Sequence, residues 1–338
     1  MRLSSEQSKS VRGVHRFAAI LAGLVILLIS AGAFVTSKEA GLAVPDWPLS
    51  YGSMNPPDWW TISNVRAEHG HRLIAGTVAL LTVGLMLWIR RRESRRWVRR
   101  IAYLAVLAVL VQAGLGGITV LFFLPTAISV AHAALAEIFL CLVVTLAVVT
   151  SRSWTQGRQW VNQGEVGWRL RVPLLTTGLI FVQILIGAVM RHSGAGLAIP
   201  DFPLSFGRVI PPVFDFPIAI HFAHRVGAIV VTAAVVSTVV LVSKYSRDSS
   251  VAMVPAVVMS CLVVLQVSLG AAVVLTGKGV FVNTAHVATG ATLLAASLIL
   301  SLNIRRALSE PRLDAVGSMN AAGSDAIDSI GDFSGAHS

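Results

Sequence analysis

Residues 41–52 read GLAVPDWPLSYG, and residues 196–207 read GLAIPDFPLSFG. Nine of the twelve positions are identical, and the other three exchange one apolar side chain for a similar one. Further matches keep an offset of 153 to 155 residues: HRLIAG at 71–76 with HRVGAI at 224–229, VQAGLGGITVL at 111–121 with LQVSLGAAVVL at 265–275, and AHAALA at 131–136 with AHVATG at 285–290. The chain is therefore an internal duplication, and both halves should share one fold.

The composition is that of a membrane protein. The 338 residues are 55% hydrophobic and 13% charged, whereas soluble domains carry about 25% charged residues. Eight apolar runs approach the roughly 20 residues with which a helix spans a bilayer. They are residues 17–35, 73–89, 101–124, 127–150, 172–190, 218–242, 251–275 and 280–302. We therefore predict an all-α integral membrane protein with eight transmembrane helices.

Each half contains four predicted helices, so the two halves should have the same orientation in the membrane. We predict two tandem four-helix bundles, residues 14–151 and 170–306, related by a pseudo-twofold axis along the membrane normal. Residues 152–169 would form a basic cytoplasmic linker between them. Residues 307–338 are rich in Ser, Gly, Ala and Asp, which predicts a disordered cytoplasmic tail.

The formal net charge is +11, and its distribution indicates membrane topology rather than nucleic-acid binding. Arginine is concentrated in alternate connections, with seven in residues 90–100, whereas the remaining connections carry few cations. This positive-inside pattern places both termini in the cytoplasm and the duplicated loops outside, as in a multi-pass protein of a bacterial cell membrane. The two cysteines, Cys141 and Cys261, lie in apolar runs and predict no external disulfide framework.

Four histidines occupy matched positions in the two halves: His71 and His132 in the first, His224 and His286 in the second. We expect all four to lie roughly 8–10 Å below the outer boundary, at 1.5 Å per helical residue. Two imidazoles facing each other inside an apolar bundle are what a haem iron needs as axial ligands. A single buried histidine would be interpreted as a hydrogen-bonded core residue, but four matched ones favour haem. Zinc prefers a tetrahedral cluster, which two histidines without a cysteine do not offer.

Other polar residues leave alternatives open. Arg72 and Arg225 directly follow two of these histidines and would either hold haem propionates or extend to the membrane interface as anchors. The duplicated loops would either cap each bundle or contact a substrate. The remaining histidines have no match across the repeat: His15 and His337 are expected to be solvated, His192 to lie in an outer loop, and His69 is assigned no role.

The halves differ beside the first histidine of each pair. The first half reads EHGHR at 68–72, and the second reads HFAHR at 221–225. Glu68 lies on the same helical face as His71, three residues later, and His221 replaces it in the second half. A carboxylate beside a haem can stabilise positive charge or accept protons; the alternative is a first-turn residue that complements the helix dipole. We interpret the first half as the reactive site and the second as an electron relay.

Taken together, the duplication, the Glu-x-x-His-Arg motif, the single histidines of helices 4 and 8 and the duplicated loop resemble haem A synthase over residues 14–306. The resemblance implies oxidation of a methyl group of haem O to the formyl group of haem A, which cytochrome c oxidase needs. It implies that His71 and His132 flank the haem O substrate in residues 14–151, with Glu68 as the catalytic residue. His224 and His286 would ligate a haem b cofactor in residues 170–306.

The resemblance also implies partners and a mechanism. The partners would be haem O, membrane lipid, haem O synthase and cytochrome oxidase assembly factors, and no nucleic acid. Two histidines leave no open iron position, so we expect stepwise removal of electrons from the methyl group. Water would then trap the cation that Glu68 stabilises.

One departure and three rival functions follow from the sequence. Many members of the resembled family carry a loop cysteine pair, where this chain has Val44 and Ser50, with Ile199 and Ser205 in the second half. No loop disulfide can therefore form.

A dihaem b-type cytochrome that carries electrons from quinol would explain the histidines, but not Glu68 opposite His221. A transporter would place its polar residues nearer mid-membrane, and a prenyltransferase would need Asp-rich magnesium-binding motifs.

Overall fold

The computed structural model describes residues 5–155 and 171–308. Eight long helices cover most of these ranges: α1 (Ser5–Ser37), α2 (Ser63–Arg92), α3 (Arg96–Leu121), α4 (Thr126–Val149), α5 (Arg171–His192), α6 (Phe216–Tyr245), α7 (Ser250–Leu275) and α8 (Val280–Leu308). Single helical turns at Arg152–Thr155 and Ala195–Leu197 complete the secondary structure of these ranges, apart from two isolated β-bridges. All eight long helices are long and apolar enough to cross a membrane, so the prediction of an all-α, multi-pass membrane protein is confirmed.

Two predicted segments fall largely beyond the described residues. Of the linker predicted at 152–169, the structure describes Arg152–Thr155 as helical, and the rest is not among the described residues. The tail predicted at 307–338 begins two residues too early, because α8 continues to Leu308; residues 309–338 lie outside the described ranges.

The four-helix organisation of each half is visible in the helix contacts. Each half closes on itself, since α1 packs on α2 and α4 and α3 packs on both of these, and α5 to α8 repeat the arrangement. The halves meet where α4 packs on α5 and α8 and where α1 packs on α8. Burial agrees: 61% of the most apolar window of α8 and 50% of that of α4 is buried, against at most 28% elsewhere. The pseudo-twofold relation of the two bundles stays a prediction.

Helix α2 begins well before its apolar run, and the sequence predicted only the part with Glu68 and His71 to be helical. The apolar run begins at residue 73, but α2 begins at Ser63, because its first turns lie under the duplicated loop rather than in lipid. His71 and His224 are each the ninth residue of their helix, and His132 and His286 the seventh. At 1.5 Å per residue they lie roughly 12 and 9 Å from their helix starts, and their depth below the membrane boundary stays a prediction.

A proline inside α7 removes one backbone hydrogen bond of that helix, and a side chain of α8 replaces it. Pro255 has no N–H group and cannot donate to the carbonyl of Val251, four residues earlier. The side-chain amide of Asn303 on α8 donates to that carbonyl instead, at 3.2 Å. Because an unpaired carbonyl is costly away from water, this bond allows the proline in a membrane helix and joins α7 to α8.

Candidate functional site

Each duplicated loop is a turn held by its own aspartate. The carboxylate of Asp46 accepts hydrogen bonds from the backbone N–H groups of Tyr51 and Gly52, both at 2.7 Å. Asp201 makes the equivalent bonds in the second loop at 2.7 and 2.8 Å. Tyr51 and Gly52 have φ angles of 52° and 72°, in the left-handed region that glycine adopts without steric cost. This geometry explains why both copies keep the aspartate and the final glycine.

These bonds make the first loop sensitive to acid. The N–H group of Gly52 is the main cause that lowers the pKa of Asp46 below its ordinary value of 3.8. The folded loop thus binds the charged form more tightly, so the stabilisation is present above that value and is lost as the pH falls through the lower, folded pKa. We expect hydrogen-exchange protection of the Gly52 amide, corrected for intrinsic exchange, to be flat down to about pH 5 and to fall at lower pH. Asp46→Asn should show low protection at every pH; protection equal to wild type would contradict this role.

An arginine clamps each loop to the helix beneath it. The guanidinium of Arg72 donates to the backbone carbonyls of Val44 at 3.0 Å, Asp46 at 2.6 Å and Leu49 at 2.9 Å. Arg225 donates to the carbonyls of Ile199 at 3.2 Å, Asp201 at 2.7 Å and Leu204 at 2.7 Å. The two arginines therefore fix the loop backbone, a function that neither alternative from the sequence anticipated.

Glu68 and His221 bind the same loop amide in their respective halves. Glu68 is 3% exposed; its Oε2 accepts a hydrogen bond from the Val44 N–H at 2.8 Å, and its Oε1 one from Arg72 at 2.6 Å. His221 Nδ1 accepts from the Ile199 N–H at 3.3 Å. Because Glu68 is the sixth residue of α2, it lies beyond the first turn, and the helix-dipole alternative does not account for it. The first half thus holds a buried carboxylate where the second holds an imidazole.

His69 was assigned no role from the sequence, yet it is 2% exposed and anchors the first loop. Its Nδ1 lies 2.8 Å from the hydroxyl of Ser50, and its ring centre lies 4.8 Å from that of Trp59. In the second half Phe222 stands in its place and packs edge-on against Phe214 at 5.8 Å. Ser50 is itself 2% exposed. The polar contact of the first loop is therefore an apolar contact in the second.

The second-half histidines face each other at the spacing of two axial ligands. The ring centres of His224 and His286 are 6.3 Å apart. Two metal–nitrogen bonds of about 2.0 Å, plus about 1 Å from each nitrogen to its ring centre, give roughly 6 Å. The structure therefore brings together His224 and His286, as the sequence predicted. The equivalent pairing of His71 with His132 stays a prediction.

Each of the four imidazoles lies against a glycine of the neighbouring helix. A methyl group built on any of these glycines would lie only 2.9–3.2 Å from the Cε1 atom of the ring. The pairs are Gly32 with His71 (3.1 Å), Gly116 with His132 (3.2 Å), Gly187 with His224 (2.9 Å) and Gly270 with His286 (3.2 Å). These glycines recur across the repeat, which was the available signal, but sequence reasoning did not assign them to the site.

Amide side chains and unpaired nitrogens complete the histidine sites. Gln112 donates to the backbone carbonyl of His132 at 3.0 Å, and Gln183 Nε2 lies 3.0 Å from His224 Nδ1. The Nδ1 atoms of His71, His132 and His286 are buried and have no hydrogen-bond partner among the described residues. Buried polar atoms are normally paired, so these nitrogens fit a site that receives a further group. The described residues contain no cluster of three or more His, Cys, Asp or Glu side chains suited to a metal ion.

A groove of about 270 Å³ between α1 and α2 reaches His71. Apolar side chains of both helices, with Gly70, form most of its wall, and Lys38 and Arg66 also line it. Lys38 donates a hydrogen bond to the hydroxyl of Ser63, which also lines the groove. The first-half histidine is thus reached from the side of the bundle, past two cations.

Two unmatched histidines differ from the sequence predictions, and a third cannot be compared. His15 is not simply solvated: it is half-buried, and its Nδ1 lies 2.8 Å from the Ala147 carbonyl on α4. His192 is not in a loop but is the last residue of α5, and its carbonyl accepts a hydrogen bond from Thr126 at 3.3 Å. Both join different helices, which their sequence neighbourhood does not reveal. His337 lies outside the described residues.

Sequence reasoning missed two ionisable side chains inside the bundle. Glu137 on α4 is 3% exposed, and its Oε2 has no hydrogen-bond partner in the described part of the chain. Arg191 lies at the end of α5 with a buried Nη1 that likewise lacks one. The signal was present, because a charged residue in or at the end of an apolar run is a functional candidate, and Ala291 and Thr36 occupy the equivalent repeat positions.

Comparison with known proteins gives one consistent family. Residues 1–144 and 68–298 match the family COX15-CtaA, described as cytochrome oxidase assembly protein. The heme A synthase of Halalkalibacterium halodurans is 33% identical over 274 residues, which cover 78% of this chain and 87% of the relative. The heme A synthase of Shouchella clausii is 30% identical over 270 residues, which cover 78% of this chain and 88% of the relative. The heme A synthase of Symbiobacterium thermophilum is 32% identical over 222 residues, which cover 62% of this chain and 70% of the relative.

Proposed function

The chain belongs to the COX15-CtaA family of cytochrome oxidase assembly proteins, and on this premise we propose that it is a haem A synthase. It is a membrane oxidoreductase that converts a methyl group of haem O into the formyl group of haem A. The observation that carries the proposal is the asymmetric duplication of the site. Both halves cradle paired histidines against glycines, but only the first places a buried carboxylate, Glu68, beside them.

The two bundles divide the reaction between them. Residues 14–151 bind the haem O substrate between His71 and His132, and the groove between α1 and α2 gives the substrate access from the side. Residues 170–306 bind haem b through His224 and His286, whose ring spacing of 6.3 Å fits two axial ligands. A haem held by these two histidines would supply one-electron redox chemistry.

Glu68 handles the protons of the reaction. Conversion of a methyl group to a formyl group removes four electrons and four protons, and the oxygen atom comes from water. Oε2 of Glu68 accepts a hydrogen bond from Val44, and Oε1 accepts one from Arg72. The two oxygens of a carboxylate offer about four lone-pair sites, so Glu68 can still accept a proton from the reacting group or from water. The positive charge of Arg72 favours the ionised form of the carboxylate, whereas burial opposes that charge and favours uptake of a proton.

Arg72 and Arg225 serve the haem groups through their charge. Their N–H groups hold the loop carbonyls, so the loops and the cationic centres are fixed together, one residue after His71 and His224. A fixed guanidinium attracts the propionate carboxylates of a haem bound next to it. This part of the proposal unites the two sequence alternatives for the loops: they cap the bundle and border the substrate.

We further propose that the protein lies in the bacterial cell membrane, with both termini in the cytoplasm and the duplicated loops outside. The arginines at the opposite end from those loops support this orientation; Arg90, Arg91 and Arg92 end α2 there. Haem O synthase would supply the substrate, and cytochrome oxidase assembly factors would receive the product. Surrounding lipid is the other partner, and nucleic acid is not one.

The test is expression beside a haem O synthase in a host that makes no haem A. Extracts of cells with the wild-type chain should contain haem A, and those with His71→Ala only haem O, while a b-type spectrum remains. Growth in ¹⁸O-labelled water should label the formyl group. A purified protein that holds two ordinary b haems and yields no haem A would instead support the dihaem electron carrier, and label from molecular oxygen would exclude the water step.

A further inference from the structure

Arg191 joins the two halves through a single guanidinium. It lies on α5 of the second half, and its Nη2 donates to the Ala33 carbonyl at 2.7 Å and to the Ser37 hydroxyl at 2.8 Å, both on α1 of the first half. The hydroxyl of Thr284 on α8 lies 3.4 Å from the same Ser37 hydroxyl. Three helices from both bundles therefore meet at this side chain.

The guanidinium of Arg191 has no anion beside it. Its Nη1 is buried and has no hydrogen-bond partner among the described residues, and the two ion pairs found in those residues, Glu68–Arg72 and Glu93–Arg95, do not involve it. A cation at a helix C-terminus complements the helix dipole, but that effect needs no burial and would leave the side chain free to reach water. Burial of an uncompensated charge is costly, so the site calls for an anion.

The position of Arg191 indicates the source of that anion. Gly187, one helical turn earlier on the same face of α5, contacts the His224 ring. The Ser37 hydroxyl that Arg191 binds lies 3.4 Å from the hydroxyl of Thr284, which stands two residues before His286. Arg191 therefore lies at the rim of the second-half histidine pair. In the first half the equivalent residue is Thr36, whose hydroxyl bonds to the Gly32 carbonyl of its own helix at 3.1 Å.

We propose that Arg191 binds a propionate carboxylate of the haem held by His224 and His286 and thereby raises its reduction potential. The inference rests on the proposed function, because it needs a haem in the second half. A guanidinium with one nitrogen fixed by Ala33 and Ser37 presents its free Nη1 to a carboxylate, the geometry of a strong charge-assisted bond. A nearby positive charge stabilises the reduced iron relative to the oxidised iron. It makes the second half the better electron acceptor, as a relay requires.

The experiment is a redox titration of the purified, haem-loaded protein, following the b-type signal that His224→Ala removes. Arg191→Gln should lower the reduction equilibrium constant at least tenfold, which is about 59 mV for one electron. Arg191→Lys keeps the positive charge but lacks the planar guanidinium with its several N–H donors, so it should show a smaller shift of the reduction potential. The matched control is Arg208→Gln, which removes one charge from the exposed second loop and should leave the potential unchanged. A haem-replete Arg191→Gln protein that titrates like wild type would overturn the proposal.

A second comparison identifies the carboxylate itself. Wild type and Arg191→Gln are loaded with haem b or with its dimethyl ester in cells deprived of porphyrin. If Arg191 binds a propionate, its substitution should weaken the binding of haem b but much less that of the ester; equal losses of affinity would contradict the propionate contact. Should Arg191→Gln fail to fold, the wild-type protein must still bind haem b more tightly than the dimethyl ester, because the ester offers no charged carboxylate to the guanidinium. A wild-type protein that binds no b haem would refute the proposed function, whereas bound haem insensitive to Arg191 would refute only this inference.

Discussion

Glu68→Gln should stop haem A formation while the protein keeps its b-type spectrum. A positioned general acid or base typically contributes about 10²- to 10⁴-fold to a rate, so we expect at least about a hundredfold loss and accumulation of haem O or a hydroxylated product. Glutamine has a single acceptor oxygen, so it cannot satisfy both Val44 and Arg72, which Glu68 binds at 2.8 and 2.6 Å. The measurement is the ratio of haem A to haem O in extracted pigment.

Loss of activity alone would not show whether Glu68 takes part in the chemistry or only anchors the loop. The sequence of the second half provides a control for this. Glu68→His copies His221, whose Nδ1 accepts from the equivalent loop amide at 3.3 Å, so it should hold the loop without a carboxylate. Asp46→Asn does the opposite, because it loosens the turn and leaves Glu68 in place. We expect Glu68→His to be as inactive as Glu68→Gln, and Asp46→Asn to retain more activity than either. Haem A formation near the wild-type rate in Glu68→His would reduce Glu68 to a loop anchor.

The histidine pairs could be predicted because two independent signals agree on them. The repeat places His71 opposite His224 and His132 opposite His286, and each is a polar residue in apolar surroundings. Either signal alone would have left a buried, hydrogen-bonded core residue as the better explanation. The eight helices follow from composition for the same reason, since a bilayer leaves few alternatives to a helix for an apolar run of that length.

The partners of Arg72 could not be predicted, because they are backbone carbonyls whose positions depend on the loop conformation. That conformation needs two successive left-handed residues, Tyr51 and Gly52, and an aspartate bonded to both. No periodicity describes such a turn. The same loop covers the first turns of α2, so the polar segment that begins at Ser63 is helical although it lacks the apolar pattern of a span.

Contacts between the halves were hidden for a different reason. Repeat matching compares equivalent positions and treats each half as a copy, so it passes over residues that differ because they lie where the copies meet. Arg191 contacts Ala33 across that boundary, and Cys141 of α4 packs against the core of the second half. These positions become meaningful only once α4, α5, α1 and α8 are known to be neighbours.

Gly187→Leu should weaken haem b binding without changing either histidine ligand. A Cβ atom at this position would lie 2.9 Å from Cε1 of His224, and the rest of a leucine has no space unless the ring moves. Displacement of the ring breaks the 6.3 Å spacing to His286. Overpacking costs about 1–3 kcal/mol, or roughly 5- to 150-fold in occupancy, and Gly187→Ala should show a smaller loss. The measurement is b-type absorbance per protein, with oligomer and fold checked by gel filtration in detergent.

The repeat provides a matched control for each half. Gly178 lies on the same helix and Gly23 at the equivalent place on α1, and a Cβ at either meets nothing within 4 Å. Leucine there makes the same chemical change and should leave the haem content intact. Gly32→Leu fills the space beside His71 and leaves the second bundle unchanged. It should therefore stop haem A formation while the b-type spectrum persists. If Gly32→Leu removed the b haem and Gly187→Leu spared it, the assignment of substrate and cofactor to the two halves would have to be exchanged.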